Sequence, residues 1–194
     1  MLSGIKEFHA FIQGPFTKEI RESYEGLQIL SEGDLQAQAW FLIRQFFQEH
    51  DPTRKKFKVL NKPYFKDLGI HPDIAVFKRA KPWVLFEVKE RKRMTEKAAQ
   101  KEWLRLLYSK KHLHPHPKRG YLVYVARYGC GRILRGRKGA GARYFFELPI
   151  TLEQFWKNER IVEWEKRFKK WSKYIAPKRR ARFNRSSAAS PWPE

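Results

Sequence analysis

The run Trp83-Val-Leu-Phe-Glu-Val-Lys89 constrains the fold more than any other part of the chain. It is short, apolar until its last positions, and preceded by the break Ala80-Lys81-Pro82, which predicts a buried strand. Side chains alternate along a strand, so Leu85, Glu87 and Lys89 share one face. Val84, Phe86 and Val88 take the other face and go into the core. A carboxylate and an ammonium therefore project together from the end of an apolar strand.

Around this strand the pattern alternates. Ser31, with Asp34 three residues on, predicts the start of a helix whose apolar face is Leu35, Ala39, Leu42, Ile43 and Phe46, stopped by Asp51-Pro52. Strand-like pieces are expected at Phe57 to Leu60 and at Ile74 to Phe77, with breaks at Asn61-Lys62-Pro63 and His71-Pro72. A second helix is expected from about Thr95 to Lys110, then strands at Tyr121 to Arg127 and Tyr144 to Leu148. Thr151 and Gln154 start a long last helix with a stripe of Ile161, Trp164, Phe168, Trp171 and Ile175. The order predicts an α/β fold, a mixed central sheet flanked by helices. Three parts are expected: residues 1–30 as a loosely built N-terminal extension with a short helix from Thr17, 31–176 as the domain, and 177–194 as a basic flexible tail.

The formal net charge of +22 needs a counter-charge, because self-repulsion of this size opposes compaction. Nucleic acid is the first candidate, since neutralised phosphates release condensed counterions. An anionic membrane surface is weaker, because the basic residues are spread over the chain rather than gathered on one amphipathic helix. No apolar run approaches the roughly 18–20 residues a spanning helix needs, and Met1 to Ala10 lacks a signal peptide's apolar stretch. The single cysteine, Cys130, leaves no internal disulfide and fits a reducing, cytoplasmic setting. On charge alone, an architectural basic protein fits as well as an enzyme.

Asp73 decides between them at the level of residues. It opens the strand before Trp83 to Val88, fourteen positions ahead of Glu87. If the two strands form a hairpin, Asp73 and Glu87 converge. Two hard oxygen ligands at a sheet end suit Mg²⁺, which acidifies water and offsets charge building on a phosphate. Lys89 is placed to orient that water or to stabilise the developing charge. The other reading of Glu87 and Lys89 is a surface ion pair.

Pro72-Asp73 followed by Glu87-Val88-Lys89 resembles the signature of the PD-(D/E)xK nuclease superfamily, over roughly residues 31 to 128. The resemblance implies a restriction-endonuclease-like fold and a Mg²⁺-dependent deoxyribonuclease, with Mn²⁺ as a substitute. It implies catalytic roles for Asp73, Glu87 and Lys89, and a metal held by Asp73, Glu87 and Val88. Many members add an acidic residue from the preceding helix, here Glu32. Its position in a first helical turn is also what the helix dipole alone favours. Some exonuclease and resolvase branches carry a glutamine on the following helix, here Gln100; where they have a tyrosine four residues on, this chain has Leu104. The Holliday-junction-resolvase branch, with its setting in DNA recombination and repair, and the restriction or transposon endonucleases are the two expectations within the superfamily.

The expected partner is duplex or branched DNA, with RNA left open. Arg91, Lys92, Arg93 and Lys97 lie next to the site, and Arg132, Arg135, Arg137 and Lys138 sit in a glycine-rich stretch suited to backbone contact. A homodimer is a further expectation, through the aromatic stripe of the last helix. His112, His114 and His116 match no zinc spacing and read as a solvated loop. The glycine-rich stretch lacks the Gly-Lys-Ser/Thr ending of a nucleotide-binding loop.

Overall fold

Pro15 sets the shape of the N-terminus in the computed structural model, which describes residues 4–26, 28–29, 31–53, 55–91, 95–126 and 144–151. Helix α1 (Ile5–Phe11) runs into one wide, π-helical turn (Ile12–Phe16) and out again as α2 (Thr17–Glu25). Pro15 has no N–H to donate back to the preceding turn. The Thr17 hydroxyl donates instead to the Ile12 carbonyl at 2.9 Å. The segment expected to be a loose extension is a layer of the core. Phe8, Ile12, Phe16 and Ile20 are fully buried, and Phe8 lies within ring contact of Phe47, Trp83, Phe86 and Tyr121. The sequence reading missed this because a proline and a glycine interrupt the helical period where the π turn absorbs them.

Helix α3 (Glu32–His50) starts where Ser31 predicts. The Ser31 hydroxyl accepts from the Asp34 N–H at 3.2 Å and donates to the Asp34 carboxylate at 2.9 Å. Five strands follow: β1 (Phe57–Asn61), β2 (Ile74–Lys78), β3 (Lys81–Arg91), β4 (Arg119–Ala126) and β5 (Phe145–Thr151). They form one mixed sheet in the order β1-β2-β3-β4-β5. The first three are antiparallel, and β3, β4 and β5 run parallel. Helix α4 (Glu96–His112) is the crossover between β3 and β4. Its N-cap is Thr95, whose hydroxyl accepts from the Ala98 N–H.

The turn between β2 and β3 falls at Arg79-Ala80, both with positive φ, rather than at Lys81-Pro82. Pro82 lies in β3, beside a register shift at Val76/Phe77, where a missing N–H costs the ladder least. Both faces of β3 are buried. Phe86 packs on Phe8 and Tyr121, while Leu85 joins Ala99, Leu106, Leu122 and Tyr124 under α4. Gly120 in β4 admits the Phe145 ring where a Cβ would stand. The fold is therefore α/β, a five-stranded mixed sheet flanked by helices.

The chain divides into two compact units, Met1–Glu153 and Gln154–Glu194. The expected last helix with Ile161, Trp164, Phe168, Trp171 and Ile175, and the basic tail, lie outside the described residues. Among the described residues no helix is long and apolar enough to cross a membrane.

Candidate active site

The antiparallel register of β2 and β3 pairs Ile74 with Phe86, which sets Asp73 beside Glu87 at the end of the hairpin. The expected convergence of Asp73, Glu87 and Lys89 is present, and its centre is the Lys89 ammonium. Lys89 Nζ donates to Asp73 Oδ2 at 2.9 Å. It lies 3.6 Å from Glu87 Oε2 and 3.6 Å from Glu32 Oε1. The side chains of Lys89 and Glu87 keep only 8% and 4% of their exposure, so this is no solvated surface pair.

Glu32 reaches the cluster from the first turn of α3. Its Oε2 accepts the Glu90 N–H at 3.3 Å, so it also ties the helix start to the end of β3. Asp73 is held on both oxygens. Oδ2 accepts the Val88 N–H at 2.8 Å, and Oδ1 accepts from Gln36 Nε2 at 3.1 Å. Gln36 Nε2 also faces the Val88 carbonyl at 3.5 Å. Gln36 was missed in the sequence. It sits one turn after Glu32 on α3, and that i, i+4 spacing, which puts both on one helical face, was the available signal.

Burial raises the Glu87 carboxyl to about 8, and the neighbouring Asp73 charge adds to the rise. Lys89 and Arg105 pull it the other way without prevailing. Burial works against the Lys89 ammonium too, but the hydrogen bond and charge of Asp73, with Glu87 and Glu32, outweigh it and lift its pKa. Lys89 is therefore a cation at neutral pH, and Glu87 gives up its proton far less readily than an ordinary carboxyl. Arg105 of α4 is a second residue the sequence reading did not single out. It donates to Glu102 at 2.9 Å and lies 3.9 Å from Glu87 Oε2.

Among the described residues no group of three or more His, Cys, Asp or Glu is arranged to hold a metal ion; Lys89 Nζ occupies the middle of this cluster. The donor set nevertheless fits a hard cation that keeps several waters and takes one or two carboxylates. Glu87 Oε2 is buried without any hydrogen-bond partner, a state that costs on the order of 1–3 kcal/mol unless something satisfies it. Asp73 and Val88, whose carbonyl faces Gln36 Nε2 at 3.5 Å, stand beside it.

Gln100 and Lys97, on α4, line a cavity of about 1100 Å³ whose wall also includes Glu87. Both expected residues thus open onto the site, although neither joins the hydrogen-bonded cluster. The side chain of Arg91, and all of Lys92, Arg93, Arg132, Arg135, Arg137 and Lys138, lie outside the described residues. His116 Nδ1 is engaged with the carbonyls of Lys110 and Leu113, in keeping with a loop.

Comparison with protein-family models, with curated proteins and with solved structures finds no match to the chain.

Proposed function

We propose that the chain is a metal-dependent endonuclease of the PD-(D/E)xK type, with a restriction-endonuclease-like fold, that hydrolyses phosphodiester bonds in DNA. The observation that carries this reading is the meeting of Asp73, the buried Glu87 and the half-buried Glu32 around one buried ammonium, Lys89. A structural ion pair needs one acid for one base. Here Asp73, Glu32 and Glu102 outnumber Lys89 and Arg105 before Glu87 is counted, and ionising Glu87 in this desolvated place invites a cation.

Asp73, Glu87 and the Val88 carbonyl would hold Mg²⁺ or Mn²⁺, with Glu32 beside them. The bound ion would supply charge against the phosphate oxygens and make water a stronger acid. The chain's own groups do the rest. Gln36 and the Val88 N–H fix the Asp73 carboxylate in one orientation. Lys89, kept protonated by its neighbours, is an electrostatic donor to charge growing on the phosphate and not a proton acceptor. In the balanced reaction, a water oxygen bonds to phosphorus as that water gives a proton to solvent, one ester P–O bond breaks, and the departing sugar oxygen takes up a proton. The net charge of +22 supports a polyanionic substrate.

The test is cleavage of labelled linear duplex, single-stranded and four-way-junction DNA, with Mg²⁺, with Mn²⁺ and with chelator. Metal-dependent cutting that disappears in Asp73→Ala and Lys89→Ala is the expected result. The preferred substrate then chooses between a junction-selective enzyme and a restriction- or transposon-type one. Wild-type protein that binds all three DNAs and cuts none with either metal would instead be a basic binding module.

A further inference from the structure

The cavity beside Glu87 is larger than a metal and its waters require, and its walls differ from those of the carboxylate cluster. Its volume is about 1100 Å³, above the usual range of roughly 300–1000 Å³ for a small-molecule pocket. One wall is the outer stripe of α4, where Lys97, Lys101, Leu104, Tyr108 and Lys111 recur at intervals of three and four. That stripe covers about 21 Å of helix at about 1.5 Å per residue. Opposite in sequence, His71 comes from the loop between β1 and β2. The Tyr64 ring stacks on His71 with centroids 4.2 Å apart and planes 10° from parallel.

Two features of this wall go together. On it, Leu104 and Tyr108 are large apolar residues left 48% and 50% exposed, and beside it Tyr64, stacked on the lining His71, is 58% exposed. Among the described residues the charged groups lining the cavity are Lys97, Lys101, Arg105 and Lys111, with Glu87 as the one acid. No described carboxylate pairs with Lys97, Lys101 or Lys111. Apolar and aromatic surface interleaved with cations is poorly matched to a double helix, which turns only phosphates and base edges outward. It matches a strand whose bases are unpaired, because each base then offers a flat face to stack and each linkage a phosphate to neutralise.

We propose that this cavity is a binding track for unpaired nucleotides, which leads a single strand along α4 to the carboxylate cluster. Bases seat against Tyr108, Leu104 and the Tyr64–His71 stack, while Lys97, Lys101 and Lys111 take the phosphates. This rests on the nuclease reading for what happens at the end of the track, but the track itself is a binding property. It makes the substrate a single strand, or a junction or flap that presents one, in preference to uninterrupted duplex.

The experiment measures binding of the full chain by fluorescence anisotropy, in chelator so that nothing is cut. The probes are a short oligothymidylate, an oligouridylate and a mixed-sequence duplex of equal length, at matched salt. Either single strand should bind at least about tenfold tighter than the duplex, and the tighter of the two identifies the polymer. Tyr108→Ala should weaken single-strand binding about five- to tenfold, as loss of one stacked base does, and leave the duplex unchanged. Tyr108→Phe, which keeps the ring, should restore it. Tyr108 is half exposed, so both variants fold, and circular dichroism checks this. Duplex bound as tightly as either strand, or equal losses on all probes in Tyr108→Ala, overturns the proposal. Single-strand preference with no cleavage in any metal would leave the track standing and remove the nuclease reading.

Discussion

Gln36 and Asp73 lie 37 positions apart in the chain and are joined by a hydrogen bond of 3.1 Å between Nε2 and Oδ1. The bond links α3 to the start of β2, and the same amide faces the carbonyl of Val88 in β3. Gln36 is buried, so its loss leaves two acceptors without a donor. Gln36→Ala should lower stability by about 1–3 kcal/mol in urea unfolding. It should also lower the cleavage rate at saturating DNA about tenfold, with little change in DNA affinity, because Asp73 loses its orientation and not its charge. A variant that destabilises the fold yet cuts at the wild-type rate would reduce Gln36 to a packing residue.

Lys89 is the cation at the centre of the Asp73, Glu32 and Glu87 cluster, and Lys89→Met removes the charge while nearly keeping the volume. In chelator the variant should lose about 3–5 kcal/mol at neutral pH, the scale seen when one partner of a buried pair is deleted. Adding Mg²⁺ should then raise its melting temperature more than it raises that of the wild type, because the cation replaces the lost ammonium. Equal shifts in both proteins would mean that divalent ions do not enter the cluster.

The raised Glu87 carboxyl makes stability depend on pH with a definite sign. In the unfolded chain the group ionises near 4.5, and in the folded, metal-free chain near 8, chiefly because it is buried. Between those values unfolding releases a proton, so its contribution is fully present below pH 4.5 and is lost as pH rises to about 8. Glu87→Gln imitates the protonated form and removes this dependence. The wild type should fall steadily relative to Glu87→Gln across that window in chemical denaturation. Parallel curves would show that Glu87 is ionised in the folded chain.

Phe8 is fully buried among rings from α3, β3 and β4. Phe8→Ala should cost about 3–5 kcal/mol, the range for emptying a phenylalanine site in a packed core. Thermal unfolding of the purified variant measures it. A change under about 1 kcal/mol would fit the loose extension expected from sequence.

The hairpin, the crossover helix and the central strand were legible because each carries a local signal. Alternation marks Leu85, Glu87 and Lys89, a capping hydroxyl marks Ser31 and Thr95, and Pro72 flags the turn before Asp73. Those signals sufficed to bring Asp73, Glu87 and Lys89 to one place, while Glu32 was reached only through the resemblance to the nuclease signature. What failed was whatever depends on distant partners. Gln36 looks like any polar residue on a helix until β2 and β3 are set against it. Arg105 looks like any surface arginine until Glu102 and Glu87 stand beside it. The N-terminal thirty residues read as loose because the Gly14-Pro15 interruption hides the period of Phe8, Ile12, Phe16 and Ile20. The four-residue spacing of Phe8, Ile12, Phe16 and Ile20 held that face, and what it packs against is supplied by α3, β3 and β4.

The packing of α1 has a consequence for the order in which the molecule can assemble. His9 Nδ1 lies 2.9 Å from the Tyr121 hydroxyl, 112 positions away, and Phe8 meets the ring of the same tyrosine. On the ribosome α1 precedes its partners, so its apolar side meets Phe47, Trp83 and Phe86 only as α3 and β3 follow, and is completed when Tyr121 of β4 arrives. Contacts closing so long a loop slow folding, and the waiting surface is the kind that chaperones hold and that aggregates capture. The seat of the first helix is therefore complete only once β4 lies beside β3.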